Sequence, residues 1–183
     1  MTTPVSREEL VDFETYRDER ATYRPKVMAL KAPRRIHVGE YLTFLFENHE
    51  TIRYQVQEMM LAERIVKEAE IRHELQTYNE LLGEAGGLGA TLLIEIESEA
   101  ERSEKLAAWL ELPSHLYAKL EDGTKVRPTY DPRQVGDTRL SSVHYLRFAV
   151  KGKVPVALGS DLPALQVETP LTAEQRAALK EDL

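Results

Sequence analysis

The sequence predicts an α+β fold, a single domain in which an antiparallel or mixed β-sheet has helices packed against it. Three observations lead there. Helical periodicity dominates the first part of the chain, where apolar residues recur three and four apart between capping signals. The last third instead carries short β-like runs separated by turn signals, of which Asp122-Gly123 is the strongest. Regular strand–helix–strand alternation is missing, which argues against a purely parallel sheet. At 183 residues, one substantial core is the expectation.

The elements follow in order. Ser6 with Glu9 forms a capping-box signature ahead of Leu10, Phe13 and Tyr16, which predicts a helix from Arg7 to Tyr23 that ends before Pro25. Ile36–Val38 and Tyr41–Phe46 read as β, a hairpin bent at Gly39-Glu40. The run YLTFLF is apolar on both faces, as an interior strand should be. Asn48 is suited to cap the next helix. Beyond it, Ile52, Val56, Met59 and Val66 form one apolar stripe, and Ile71, Leu75, Tyr78 and Leu82 form a second. The two are out of phase at 3.6 residues per turn, so two helices with a break near Val66–Glu70 are favoured over one long helix.

Glycines at 83, 86, 87 and 89 then interrupt the chain, and Ala90–Ile96 reads as a strand. Ser98 with Glu101 opens a helix from Glu99 to about Leu110. His115–Leu120 and Lys125–Tyr130 flank the turn at Asp122-Gly123 as a hairpin. Ser142–Val150 alternates, Lys151-Gly152-Lys153 turns the chain into a further strand at VPVAL, and Thr172 with Gln175 caps a helix over Ala173–Leu179. The domain therefore divides into an N-terminal helix with a basic connection (1–33), a strand–helix–helix–strand–helix core (34–112) and a hairpin-rich part closed by a short helix (113–183).

Composition narrows the function classes. Hydrophobic residues make up 42% and charged residues 30%, the balance of an ordinary folded chain. With no cysteine, the chain can supply neither a disulfide, nor a thiolate metal site, nor a cysteine nucleophile. The N-terminus is charged where a signal peptide needs an apolar run, and no stretch approaches the ~20 apolar residues of a membrane span, so a soluble, cytoplasmic protein is expected. The net charge of −7 is concentrated in residues 36–112, where sixteen carboxylates outnumber six Lys and Arg. Such an acidic middle argues against nucleic acid and suits a cationic partner, a metal or a solvated face.

Candidate chemistry gathers on the 50–82 segment. Glu70 and His73 have ExxH spacing, which places carboxylate and imidazole on one helical face as candidate metal ligands, although a second ExxH is missing. Glu63 with Lys67 and Glu68 with Arg72 are also ordinary i,i+4 pairs. A buried unpaired carboxylate is strongly disfavoured. Glu63, near the first apolar stripe, is therefore either an edge residue or a partly buried group paired with Arg53, Arg64 or another arginine. With Arg53, Gln57 and Glu58 it forms the candidate ligand-binding set. Lys26, Lys31, Arg34 and Arg35 form a basic cluster that reads as a solvated connection or, alternatively, a grip on phosphate or carboxylate. His37, Glu40 and His49 flank the first hairpin and read as surface groups, and His144 reads as a sheet-face residue. Tyr41, Tyr54, Tyr78, Tyr130 and Tyr145 suit core edges or a ligand pocket equally. The glycine-rich GEAGGLG at 83–89 precedes a strand, whereas a phosphate loop follows one and opens a helix. No serine sits in a nucleophile elbow.

The runs RRIHVGEYLTFLFENHETIRYQVQEMMLAERI, HELQTYNELL, GATLLIEI and DTRLSSVHYLRF together resemble the DUF3501 family of bacterial proteins of unknown function. The resemblance names no catalytic residue. It implies gene neighbours that include a rubrerythrin-like protein and a large iron–sulfur oxidoreductase of the heterodisulfide-reductase kind, and hence an accessory role beside a redox or oxidative-stress system. Three readings follow: an accessory protein docking on a redox partner through its acidic helices, a small-ligand or metal-binding enzyme built on the 50–82 segment, and a homo-oligomeric structural protein.

Overall fold

The computed structural model describes residues 3–183. Its strands are β1 (Arg35–Val38), β2 (Leu42–Glu47), β3 (Leu88–Ile94), β4 (Leu116–Lys119), β5 (Lys125–Val126), β6 (Thr129–Tyr130), β7 (Val143–Phe148), β8 (Ala157–Leu162) and β9 (Leu165–Pro170). Among the described residues they form two sheets, of order β1-β2-β3-β7-β6 and β5-β4-β8-β9, with every pairing antiparallel. The helices are α1 (Phe13–Lys31), α2 (His49–Glu63), α3 (Glu68–Asn79), α4 (Glu99–Ala108), α5 (Leu112–His115) and α6 (Ala173–Asp182). The α+β class holds.

Two apolar clusters account for the burial. The larger joins inward residues of both sheets, among them Phe44, Leu92, Leu116, Phe148 and Leu158, with Leu106, Trp109, Leu112 and Leu179 from the α4–α6 side. The smaller is helical and holds Ile52, Val56, Met60, Ile71 and Leu75 with Val5 and Leu10 beneath them. The hairpin between β1 and β2 needs Gly39: its φ is +63°, and a Cβ there would stand 2.7 Å from the Val167 side chain of β9. At that turn β1 of one sheet lies against β9 of the other.

Several local expectations hold. Asn48 caps α2, its side chain accepting from the Thr51 N–H at 3.0 Å. The out-of-phase stripes are two helices: Arg64 adopts a left-handed φ of 52°, and the Ile65 N–H reaches back to the Met60 carbonyl at 3.0 Å.

Others are corrected. Pro25 does not end the first helix, which begins at Phe13 behind an Asp12 cap and runs to Lys31. Ala21 and Pro25 are both exposed, so water can satisfy the carbonyl that loses its helical partner. Val66 is not part of the buried stripe; it lies on the connection between α2 and α3, 72% exposed. The helix from Glu99 stops at Ala108, and a separate turn, α5, precedes β4. Lys125–Tyr130 is not one strand: the chain crosses between sheets at Arg127-Pro128, β5 pairing with β4 and β6 with β7. The strand expected at VPVAL begins only at Ala157, after Pro155, and is followed by an edge strand, β9. The C-terminal helix extends past Leu179 to Asp182.

The basic connection is not a solvated loop throughout. Arg34 is buried, and its guanidinium grips Asp182 with two hydrogen bonds of 2.7 and 2.9 Å. Its other donors reach the carbonyls of Leu30 at 2.8 Å and Ala178 at 3.0 Å. Asn48 completes the group, donating its side-chain N–H to Asp182 at 3.0 Å. His144 is a sheet-face residue, as its strand context suggests, and the face is the inner one. It is fully buried in β7, its Nε2–H donates to the Ser141 carbonyl at 2.7 Å, and its Nδ1 has no partner among the described residues.

Two outcomes are expected. Arg34→Met and Asp182→Asn should each cost about 3–5 kcal/mol in urea unfolding, because either strands a buried charge or its partner. The double substitution should cost clearly less than the sum of the two. Burial pushes the His144 imidazole below its ordinary value, outweighing the raising effect of the Ser141 carbonyl. The unfolded chain then binds this proton first, so the His144 contribution is intact above about pH 6.5 and declines as pH falls through and below that value. His144→Phe should flatten that part of the stability–pH curve.

Candidate functional site

The residues singled out by sequence are brought together only in part. α1 and α2 pack side by side, and Glu58 faces the interface between them. Its carboxylate accepts from the Tyr16 hydroxyl at 2.6 Å and from Arg20 Nε and Nη2 at 2.7 and 2.9 Å. The Arg20 guanidinium, ahead of the Tyr16 hydroxyl, holds the Glu58 carboxyl below its ordinary value against burial, and burial with Glu58 pushes Tyr16 up. Tyr23 stands 6.1 Å from both the Tyr16 and Tyr54 rings, donates to Glu50 at 3.2 Å, and is pushed up to about 12, chiefly by burial.

Arg53 spends its groups locally. Nε donates to the Glu9 carbonyl at 3.1 Å, and the guanidinium lies 5.4 Å from the Tyr23 ring centre. Gln57 is buried and clamps Val11, accepting from its N–H at 2.8 Å and donating to its carbonyl at 3.1 Å. Three of the four expected ligand-binding residues are thus engaged in fixing the N-terminal segment on α2. Glu63, at the end of α2, is exposed rather than set into the apolar stripe. Glu70 and His73 are exposed on α3, where Glu70 receives Lys67 at 3.3 Å. Among the described residues, no three His, Asp or Glu side chains gather to hold a metal ion.

The concave feature with the most suitable lining lies elsewhere, between the end of α3 and the outward face of β6 and β7. This cleft of about 490 Å³ gathers Tyr78, Tyr130 and Tyr145 with Glu80, Gln134 and Arg147. Strand periodicity puts Tyr145 and Arg147 outward while His144, Leu146 and Phe148 enter the core. β6 pairs only with Leu146 and Arg147, so the next N–H along β7, that of Tyr145, is taken by the Gln134 side chain at 3.1 Å.

The other wall is held by backbone contacts. Arg147 donates Nε and Nη2 to the Glu80 carbonyl at 3.1 and 2.6 Å, fixing the chain that leaves α3. Gly89, opposite Arg147 in the sheet, lets that chain approach: a Cβ there would collide with the Leu81 carbonyl. Tyr145 is 44% exposed, which is unusual for a large side chain in this molecule. Sequence had marked these three tyrosines among five scattered ones. Only the pairing of β6 with β7 and the return of α3 bring them together.

Architecture and cleft together define a two-sheet α+β domain with a shaped, aromatic-lined surface. The chain belongs to the DUF3501 family of proteins of unknown function, whose pattern matches residues 4–183. A solved structure from Burkholderia pseudomallei K96243, described as a novel protein of unknown function, is similar over 99% of this chain and 100% of its own, at 32% identity and a TM-score of 0.88. No curated protein matches. No described helix is long and apolar enough to cross a membrane.

One outcome tests the assignment of Glu58. Glu58→Gln should destabilise the protein by about 1–3 kcal/mol at pH 7, since it removes charge-assisted hydrogen bonds to Arg20 and one to Tyr16. The lowered carboxyl makes the wild-type contribution present above the ordinary value of 4.5 and lost as pH falls through the lower folded value. The gap between mutant and wild-type denaturant midpoints should therefore close in acid.

Proposed function

We propose that this chain is an accessory protein that acts by binding a protein partner, with the tyrosine-lined cleft as its working surface. The observation that carries the reading is the cleft itself, in which three tyrosines converge on a partly exposed surface held rigid from both sides. Tyrosines supply large contact area at low entropic cost and dominate binding hot spots.

The catalytic alternative on the 50–82 segment has less support. Arg53, Gln57 and Glu58 are each committed to hydrogen bonds within the chain, and among the described residues no third ligating side chain joins Glu70 and His73. For the partner's identity, family resemblance suggests the rubrerythrin-like protein or the iron–sulfur oxidoreductase, and cytoplasmic redox or oxidative-stress physiology as the setting.

Calorimetry of the purified chain against each of those two purified proteins tests the reading. Binding to one of them is expected, with Tyr145→Ala weakening it about thirtyfold, the effect of losing a hot-spot residue worth ~2 kcal/mol. Absence of binding to both, or binding indifferent to Tyr130→Ala and Tyr145→Ala, would overturn it.

A further inference from the structure

We infer that His49 is a proton-dependent latch: its imidazolium holds the N-terminal segment, residues 3–9, on the start of α2 and loosens its grip when the proton leaves. The device lies apart from the tyrosine-lined cleft and does not depend on the partner reading.

Both ring nitrogens of His49 face oxygen. Nδ1 lies 2.8 Å from the Thr3 carbonyl oxygen, and Nε2 lies 2.7 Å from Oε1 of Glu9. A carbonyl and an ionised carboxylate can only accept, so both nitrogens must carry hydrogen, and that is the imidazolium. The Thr3 hydroxyl, which could donate to Nδ1 instead, stands off at 3.5 Å. Glu9 stays ionised, since the Ser6 N–H first and the His49 ring after it hold its carboxyl below the ordinary value. Arg53, one turn along α2, does not compete for that carboxylate: its Nε takes the Glu9 carbonyl, and its Nη1 lies 3.7 Å from Glu50. His49 is the first residue of α2, where the helix dipole disfavours a cation, so its charge leans on Glu9.

Removing the proton leaves one hydrogen for two acceptors. Either the Thr3 carbonyl or the Glu9 carboxylate then faces a bare nitrogen lone pair, and the segment loses one of its two ties to the ring. The latched form binds one more proton than the open form, so latching is favoured in acid and lost as pH rises. Val5, inside the latched segment, is buried in the helical cluster, and the Asn79 side chain meets its N–H and its carbonyl at 2.9 Å each. Beyond Glu9, Leu10 is buried in the same cluster and Gln57 clamps Val11. Those contacts involve no titrating side chain and persist at either pH. The deprotonated segment therefore frays rather than leaves, opening more often over the apolar face that Val5 covers.

Amide hydrogen exchange of the full chain, followed by NMR at about pH 5.5 and about pH 8.5, brackets the ordinary imidazole value and reads the latch. After correction for the intrinsic rate, protection of the Val5 and Ser6 amides should fall about tenfold at the higher pH, the effect of losing one charge-assisted hydrogen bond. His49→Ala should show the lower protection at both pH values. His49→Arg, a permanent cation with several donors, should keep the higher protection at both. The Leu171 amide, bonded to the Val156 carbonyl at 2.8 Å, follows global unfolding and should lose no protection at the higher pH. A parallel loss there would make the response global and overturn the inference. So would unchanged Val5 and Ser6 protection in the wild type. The α-amino group titrates in the same window but is present in every variant, so a pH response that survives in His49→Ala belongs to it and equally overturns the latch.

Discussion

The buried Arg34–Asp182 pair joins positions 148 residues apart, and three elements depend on where it sits. Arg34 follows α1 and immediately precedes β1, Asp182 ends α6, and Asn48 links both to the start of α2. Two charges taken out of water are worth little unless every remaining donor and acceptor is met. Here Arg34 spends its further donors on the Leu30 and Ala178 carbonyls, so the guanidinium is met by oxygen on several sides. The pair therefore serves mainly to specify arrangement: it fixes the angle at which α1 delivers the chain into the first sheet and locks the last helix against it. Asn48 contributes twice, as the cap of α2 and as a third ligand to the same carboxylate, so the helix that carries Glu58 and Gln57 is registered to the same point.

From that anchor the cleft follows by propagation. β1 and β2 set the first sheet, β3 adds to β2, and β7 adds to β3 in a register that places Arg147 opposite Gly89. A side chain at 89 would push away the chain leaving α3, and Arg147 could not then reach the Glu80 carbonyl. The helical cluster of Ile71 and Leu75 presses α3 toward the same place from behind. The cleft wall is thus built by the first sheet and the helical layer acting together.

Much of the fold was legible in the sequence, because local signals and burial agree where the chain is regular. Asn48, Gly39 and the phase slip between Ile52–Val56 and Ile71–Leu75 are read from spacing alone and survive in the structure. Failures fall where tertiary context overrules a local rule. Pro25 costs one hydrogen bond on an exposed face, which nineteen residues of otherwise sound helix absorb. Arg127-Pro128 carries the chain from one sheet to the other, a choice made by the second sheet and not by the hairpin signal preceding it. β9, with no fully buried residue, offers only a weak alternating pattern. The candidate site was less legible still: Glu58, Gln57 and Arg53 have the chemistry of a ligand site, yet they serve as structural contacts. Tyr78, Tyr130 and Tyr145 look scattered because nothing in their spacing records that α3 and β6 converge on β7.

The contrast between those two groups bears on where function resides. A polar side chain on this surface has two fates. It can be consumed by a partner in the same chain, as Glu58 is by Arg20 and Tyr16, or Asp161 by Arg127, whose guanidinium holds that carboxyl far below its usual range. Such groups gain stability and lose reactivity and affinity, since each hydrogen bond already made must be broken before a ligand can make another. The alternative is a group that the fold positions without satisfying. Glu80 is in this condition: its backbone carbonyl is pinned by Arg147, while its exposed side chain makes no ion pair among the described residues. Fixing the main chain removes the backbone part of the ordering cost of a contact in advance, while the side-chain rotamers are still to be ordered by whatever arrives. On the reading proposed above, the working surface lies at the end of α3 against β7, while the contacts made by Arg53, Gln57 and Glu58 on α2 hold the N-terminal part of the chain in place.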